Sequence, residues 1–91
     1  MAITVTQVGT ASNGAGQGTL TLSNVTVPAG ALVGIIVAEN SGSGTAQTIS
    51  DGGVNTYSQV TGMPIMTNGM TNFWYKENVS ALNNATITYS T

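Results

Sequence analysis

Apolar and polar residues alternate with a period of two along much of this chain, as they do in strands with one buried face. The segments Ile3 to Val8, Thr19 to Ser23 and Ala85 to Ser90 show this alternation most clearly. No segment shows the 3.6-residue period of an amphipathic helix. The pattern therefore predicts an all-β chain.

Changes in the alternation mark the ends of further strands. The apolar positions change parity between Leu22 and Val25, which predicts a bulge or turn near Asn24 with a short strand on either side. The run Leu32 to Ala38 is apolar on both faces, which is typical of a central strand covered on both sides. A weak strand is predicted at Thr45 to Ser50, further strands at Thr56 to Val60 and at the aromatic segment Asn72 to Glu77, and an irregular segment from Thr61 to Gly69.

The length of the chain limits the size of its core. With 91 residues it is one domain, and a chain this short buries only roughly 60 to 65% of its unfolded surface. Cysteine is absent, so sheet hydrogen bonds and packing, alone or with a neighbouring subunit, must hold the fold. The connections are too short for helical crossovers. We predict that residues 1–91 form a single small antiparallel β-sandwich, immunoglobulin-like or jelly-roll-like, of about six to eight strands.

Charged residues are scarce. The chain has one basic and three acidic residues, whereas about 25% of the residues in an average soluble domain are charged. A single lysine cannot neutralise a run of phosphates, so we expect neither nucleic acid nor an anionic membrane surface as a partner. The low charge has two interpretations: the Thr-, Ser- and Asn-rich surface is soluble by itself, or much of it is docked in an assembly.

No targeting or membrane segment is visible. The longest apolar run, Leu32 to Ala38, is far shorter than the roughly 20 residues that span a bilayer, and the start of the chain lacks the pattern of a classical signal peptide. We therefore expect the product to stay where it is synthesised. Three Asn-x-Ser/Thr triplets begin at Asn24, Asn78 and Asn84, and we interpret them as coincidence in a chain rich in Asn and Thr.

The residues needed for most catalysis are missing. The chain has no histidine and no cysteine, which excludes Ser-His-Asp and Cys-His nucleophilic catalysis and most metal sites with nitrogen or sulfur ligands. Paired carboxylates are not indicated, because Glu77 lies beside Lys76 and Asp51 lies in a turn. Asp51 and Asn55 could offer oxygens to Ca²⁺, but we favour an Asx-type turn in which Asp51 accepts backbone N–H bonds. We predict no enzyme activity, no cofactor and no metal site.

Two apolar segments are candidates for contact with other protein. One contains Met63, Ile65, Met66 and, beyond them, Met70, because methionine adapts to irregular apolar partners. The alternative is that this segment folds back over an open end of the sandwich. The other is the first strand, whose residues Ile3 and Val5 form an edge for pairing with an adjacent subunit.

The consecutive aromatic residues Phe73, Trp74 and Tyr75 must divide between the two faces of their strand. We predict that Phe73 and Tyr75 pack in the core. Trp74 is then a candidate contact residue, either for protein or for stacking on a sugar ring.

Four motifs follow one another along the chain. They are Val27 to Gly30 before the apolar strand, Asp51-Gly52-Gly53-Val54-Asn55-Thr56-Tyr57, Asn72 to Val79, and Asn84 to Thr88. Their succession resembles an immunoglobulin-like β-sandwich module of phage virion proteins and bacterial surface proteins. The second motif is similar to an Asp-Ser-Ala-Gly-Asn-Thr-Tyr turn of that module, with Val54 where the module usually has glycine.

This resemblance implies a non-enzymatic structural protein of a bacteriophage virion, most simply a capsid decoration or cement protein. Such a protein would be made in the host cytoplasm and bind the capsid surface. Its partners would be the major capsid protein and itself, for example as a homotrimer. The alternatives are a tail-fibre, baseplate or receptor-binding component, or a bacterial carbohydrate-binding or adhesion module, in which Trp74 or loop residues would meet a glycan.

Overall fold

The computed structural model describes residues 4–12, 19–39, 47–60, 65–66 and 69–90, and of residues 39, 65, 66, 69 and 70 it describes the backbone alone. This part of the chain contains seven strands and no helix, which confirms the all-β prediction. The strands are β1 Thr19–Val27, β2 Val33–Glu39, β3 Thr48–Ser50, β4 Ser58–Gln59, β5 Ile65–Met66, β6 Gly69–Lys76 and β7 Leu82–Ser90.

The strands form two antiparallel sheets. One has the order β1-β7-β3, and the other has the order β2-β6-β4 with β5 paired to β6 as well. The long strands β7 and β6 lie at the centres of their sheets, so β1 and β2 each end a sheet within the described part of the chain. Side chains of the two sheets pack against one another, as in a small β-sandwich.

The core between the sheets has two clusters of buried side chains. The first consists of Val25, Val27, Val79, Leu82 and Ile87, and the second of Val37, Trp74 and Tyr89. Half-buried Ile35 of β2 and Ile49 of β3 contact both clusters and join them. Full burial of such a side chain stabilises the fold by about 1.5–3 kcal/mol.

Strand β1 bends where its parity changes. Its register with β7 shifts between Leu22 and Val25, and Asn24 has a φ of 60°. The predicted bulge is therefore confirmed, but the chain continues as one strand rather than two. Asn78 and Asn84 also have positive φ, and asparagine is among the few residues that tolerate this region. Each of the three Asn-x-Ser/Thr triplets thus begins at a position with positive φ, where the backbone conformation favours asparagine over most other residues.

Strand β2 is not the doubly covered central strand that its sequence predicts. It lies at the end of its sheet, and Val33, Ile35 and Val37 pack toward the other sheet while Ile36 is 72% exposed. A run that is apolar on both faces predicts burial on both faces, and only the inner face of β2 is buried by the described chain. The outer face of β2 is exposed, so burial within the described chain does not explain why its residues are apolar.

The predicted first strand is also absent from the described residues of its segment. Residues 4–12 have no regular secondary structure and are exposed throughout, while Ile3 lies outside the described residues. The alternation there fits a strand, but among the described residues no strand pairs with this segment. The prediction of an irregular segment from Thr61 to Gly69 is also wrong, because this segment contains the short strand β5.

Candidate protein-contact site

The side chains of the aromatic strand β6 face the opposite way from the prediction. Trp74 is 3% exposed and lies in the core, whereas Phe73 is half-buried and Tyr75 is exposed. The register with β2 explains this, because Trp74 pairs with core-facing Ile35 and Phe73 pairs with outward-facing Ile36. The predicted parity is therefore wrong, and Trp74 is a core residue rather than a contact residue of the folded chain.

The reversal creates an apolar outer face on the larger sheet. Its members are the outward residues of β2 and β6 and the residue before β2, namely Leu32, Gly34, Ile36, Phe73 and Tyr75. Leu32 is 69% exposed, and Ile36 stands directly beside Phe73 across the two strands. Sequence reasoning missed this face, although the absence of polar residues from both faces of β2 was its signal.

Gly34 lets the aromatic ring of Phe73 come close to the backbone of β2 on this outer face. A Cβ atom on Gly34 would come within 3.1 Å of Cζ and 3.2 Å of Cε2 of Phe73. Such distances are shorter than ordinary van der Waals contact, so the ring occupies the space that a side chain at position 34 would need. The ring of Phe73 on β6 therefore covers Gly34 on β2, and both belong to the apolar outer face.

Asp51 organises the turn after β3. Its Oδ1 accepts hydrogen bonds from the backbone N–H groups of Val54 (2.9 Å) and Asn55 (3.1 Å). Its Oδ2 accepts from Nδ2 of Asn55 (3.0 Å) and from the hydroxyl of Tyr57 (2.9 Å). The predicted Asx-type turn is confirmed, and both carboxylate oxygens are taken by donors of this chain.

Electrostatics favour the ionised form of this carboxyl group, which is 2% exposed. Burial alone would raise the pKa of Asp51, but hydrogen bonds from Asn55, Tyr57 and Val54 outweigh it and hold the pKa below 3.8. Burial and the neighbouring carboxylate together raise the pKa of Tyr57 above its usual value. The turn thus holds one anion that is fully hydrogen-bonded.

Asn55 ties this turn to the loop before β7. Its Oδ1 accepts from the backbone N–H of Ser80 (2.9 Å), and its Nδ2 also donates to the carbonyl of Ser80 (3.2 Å). The Asp, Asn and Tyr of the second sequence motif therefore form one network that joins distant parts of the chain. This role is structural.

The remaining candidate residues belong to the β5–β6 pair and to the segment before β1. The β5–β6 pairing places Ile65 opposite Met70 and Met66 opposite Gly69. Met63, like Ile3, lies outside the described residues. Val5 is 92% exposed and belongs to the segment without secondary structure. The structure therefore does not bring the predicted contact residues into one site.

A groove lies between β1 and β2, the edge strands of the two sheets, and we call it the side groove. It has a volume of about 700 Å³, and its lining includes Leu32, Gly34 and Ile36 of the outer face as well as core-facing residues. Its walls include Leu22 and Val25 of β1 and Ile35 and Val37 of β2. Residues 4 and 6–11 also line it.

The described residues contain neither a metal-ligand cluster nor a membrane-spanning helix. No group of three or more acidic, histidine or cysteine side chains there could hold a metal ion. No helix there is long and apolar enough to cross a membrane. Comparisons with protein-family models, with curated proteins and with solved structures found no match to this chain.

Proposed function

We propose that this chain is a non-enzymatic virion structural protein that decorates a bacteriophage capsid and attaches through its apolar outer face. The observation that carries the proposal is the exposure of Ile36 and Leu32 beside Phe73 and Tyr75 on one sheet. An isolated soluble domain gains nothing from such a face. A contiguous exposed apolar patch marks a surface that another protein covers.

The composition of the outer face suits a protein partner. Interface cores are depleted in charged residues and enriched in aromatic ones, and the outer face contains two aromatic and two large aliphatic residues without any charge. Asp51, one of the few charged residues, is buried in its turn. Attachment would thus depend on apolar burial and shape and only weakly on salt concentration.

The partner that we propose is the major capsid protein in its assembled form. A ligand that binds the assembled shell but not its free subunits stabilises the shell by mass action, by about 2.7 kcal/mol per site at a concentration of 100 times Kd. Such a role requires abundance and a complementary surface, and it requires no catalytic group. The sequence resemblance of the Asp51 and Trp74 motifs to a virion module points to the same role, although that module is immunoglobulin-like and the strand pairing of this chain differs from it.

The strand pairing favours the jelly-roll type over the immunoglobulin-like type of sandwich. The first strand, β1, pairs with the last, β7, and the second strand, β2, pairs with the last but one, β6. These two pairs are therefore nested along the sequence, which is typical of a jelly roll. β3 and β4 then pair with β7 and β6 from the other side. We infer a small jelly roll, a fold that also serves many functions outside virions.

The abundance of the protein in purified phage particles from its source tests the proposal. Quantitative mass spectrometry would compare its copy number with that of the major capsid protein. Similar copy numbers are the predicted result. A ratio of a few per cent would indicate a tail, baseplate or receptor-binding component instead, and absence from particles would favour an adhesion or carbohydrate-binding module, to be tested on a glycan array.

A further inference from the structure

The N-terminal segment lies along the open side of the sandwich. β1 and β2 each end a sheet, and within the described residues neither has a strand on its outer edge. Residues 4 and 6–11 line the side groove between these two edges. We call residues 4–11 the N-terminal strap. The strap therefore lies beside the two strand edges that could pair with another chain.

The strap is anchored by apolar contact near its middle. A Cβ atom on Gly9 would lie 3.1 Å from Cδ1 and 3.3 Å from Cδ2 of Leu22, so the backbone at Gly9 rests directly on this half-buried side chain of β1. Val8 lines the groove and is 51% exposed, whereas Val5 is 92% exposed and does not line it. Residues 8 and 9 therefore hold the strap to the sandwich, and Val5 does not.

The strap is held weakly. Residues 4–12 form no secondary structure, and no hydrogen bond joins them to another residue of the described chain. The strap does not fill the groove, since a volume of about 700 Å³ remains, whereas well-packed interiors have few voids larger than a water molecule. Segments with few apolar contacts open at a free energy far below that of global unfolding. We therefore expect the strap to open while the two sheets remain folded.

We propose that the N-terminal strap is a releasable guard that keeps β1 and β2 of one copy from pairing with strands of another copy. An uncovered edge strand presents free N–H and C=O groups to any strand that approaches it, and proteins commonly cover such edges with a loop. β2 is the stronger template, since all of its residues except Glu39 lack a polar side chain. With the strap in place the chain is monomeric, and displacement of the strap lets copies associate through these edges. This inference concerns the purified chain and does not depend on the proposed function.

Two substitutions in the strap that differ only in position test the guard. Val8→Asp places a carboxylate in the apolar groove, which should displace the strap. Val5→Asp adds the same charge at an exposed position that does not line the groove. In sedimentation of the full-length chain over a wide concentration range, wild type and Val5→Asp should be monomeric alike. Val8→Asp should associate at concentrations at least about tenfold lower than those at which the wild type does.

A second pair of variants displaces the strap without adding charge. Gly9→Val forces a side chain into the space that Leu22 occupies. Ser12→Val adds the same side chain just beyond the strap, at an exposed residue that does not line the groove. Gly9→Val should associate like Val8→Asp, and Ser12→Val should remain monomeric like the wild type.

Hydrogen exchange identifies the edges that pair. In the associated variants, amides of β1 or β2 should exchange more slowly than in the monomeric wild type, and the fluorescence of buried Trp74 verifies that each variant is folded. Three results would overturn the proposal: folded Val8→Asp and Gly9→Val variants that stay monomeric, a wild type that associates as readily as they do, or association that adds no protection to β1 or β2. Since no capsid is present, failure here leaves the capsid proposal untouched.

Discussion

The ring of Trp74 on β6 meets the ring of Tyr89 on β7 edge to face, with 5.6 Å between the ring centroids and 66° between the ring planes. This pair joins the central strands of the two sheets, and both residues are buried. Aromatic pairs in this geometry contribute about 0.5–1.5 kcal/mol beyond the burial of their area. The pair is the clearest single contact between the sheets.

Truncation of this contact should destabilise the fold strongly. Trp74→Ala removes a large core side chain, so we expect the free energy of unfolding to fall by about 3–5 kcal/mol in urea titrations. Tyr75→Ala, next to it on the exposed face, should cost less than half as much. Equal losses for the two variants would contradict the assignment of faces on β6.

Removal of the hydroxyl group should affect stability differently at Tyr57 and at Tyr89. The hydroxyl of Tyr57 donates to Asp51, so Tyr57→Phe should cost about 1.5–3 kcal/mol, the range for hydrogen bonds to charged groups. The hydroxyl of Tyr89 is buried and has no hydrogen-bond partner among the described residues, so Tyr89→Phe should leave stability unchanged or raise it. Thermal denaturation of both variants gives the comparison. A Tyr89→Phe variant less stable than Tyr57→Phe would contradict these contacts.

Asp51 should make stability fall in acid. Its pKa in the folded chain is below the reference value of 3.8, so the unfolded chain binds the proton more tightly and protonation favours unfolding. The stabilisation is fully present above that reference value and is lost as pH falls toward the folded pKa. Unfolding free energies between pH 7 and pH 2 should show this loss.

Asp51→Asn provides the control for the acid effect. The variant should be less stable than the wild type at pH 7, and its stability should depend less on pH below pH 4. An Asp51→Asn variant with an unchanged acid profile would mean that another group carries the effect.

The sequence predicted elements better than it predicted their faces. Alternation alone located β7 and placed Ala85, Ile87 and Tyr89 on one side, because a strand with one polar face leaves a single choice. β6 offered two choices, since both of its faces carry aromatic residues. Only its register with β2 decides that Trp74 is inside.

The candidate site was hidden from the sequence for a related reason. Apolar residues on both faces of β2 predict double burial whether the second cover is part of the chain or part of another molecule. The sequence pattern at Asp51 was more informative, because an Asx turn is built from neighbouring residues. Contacts with a separate partner leave no such local signature, and Ile36 could not be assigned to a partner from its spacing.

Binding of the purified protein to phage capsids that lack it tests the role of the apolar outer face most directly. Wild type, Ile36→Asp and Thr86→Asp would be compared by cosedimentation after a thermal melt has shown that all three fold. Thr86 is exposed on the other sheet and is the control. We expect wild type and Thr86→Asp to bind alike and Ile36→Asp to bind at least about 100-fold more weakly, since the contact must desolvate the new carboxylate. Equal binding by all three proteins, or no binding by the wild type, would contradict attachment through this face.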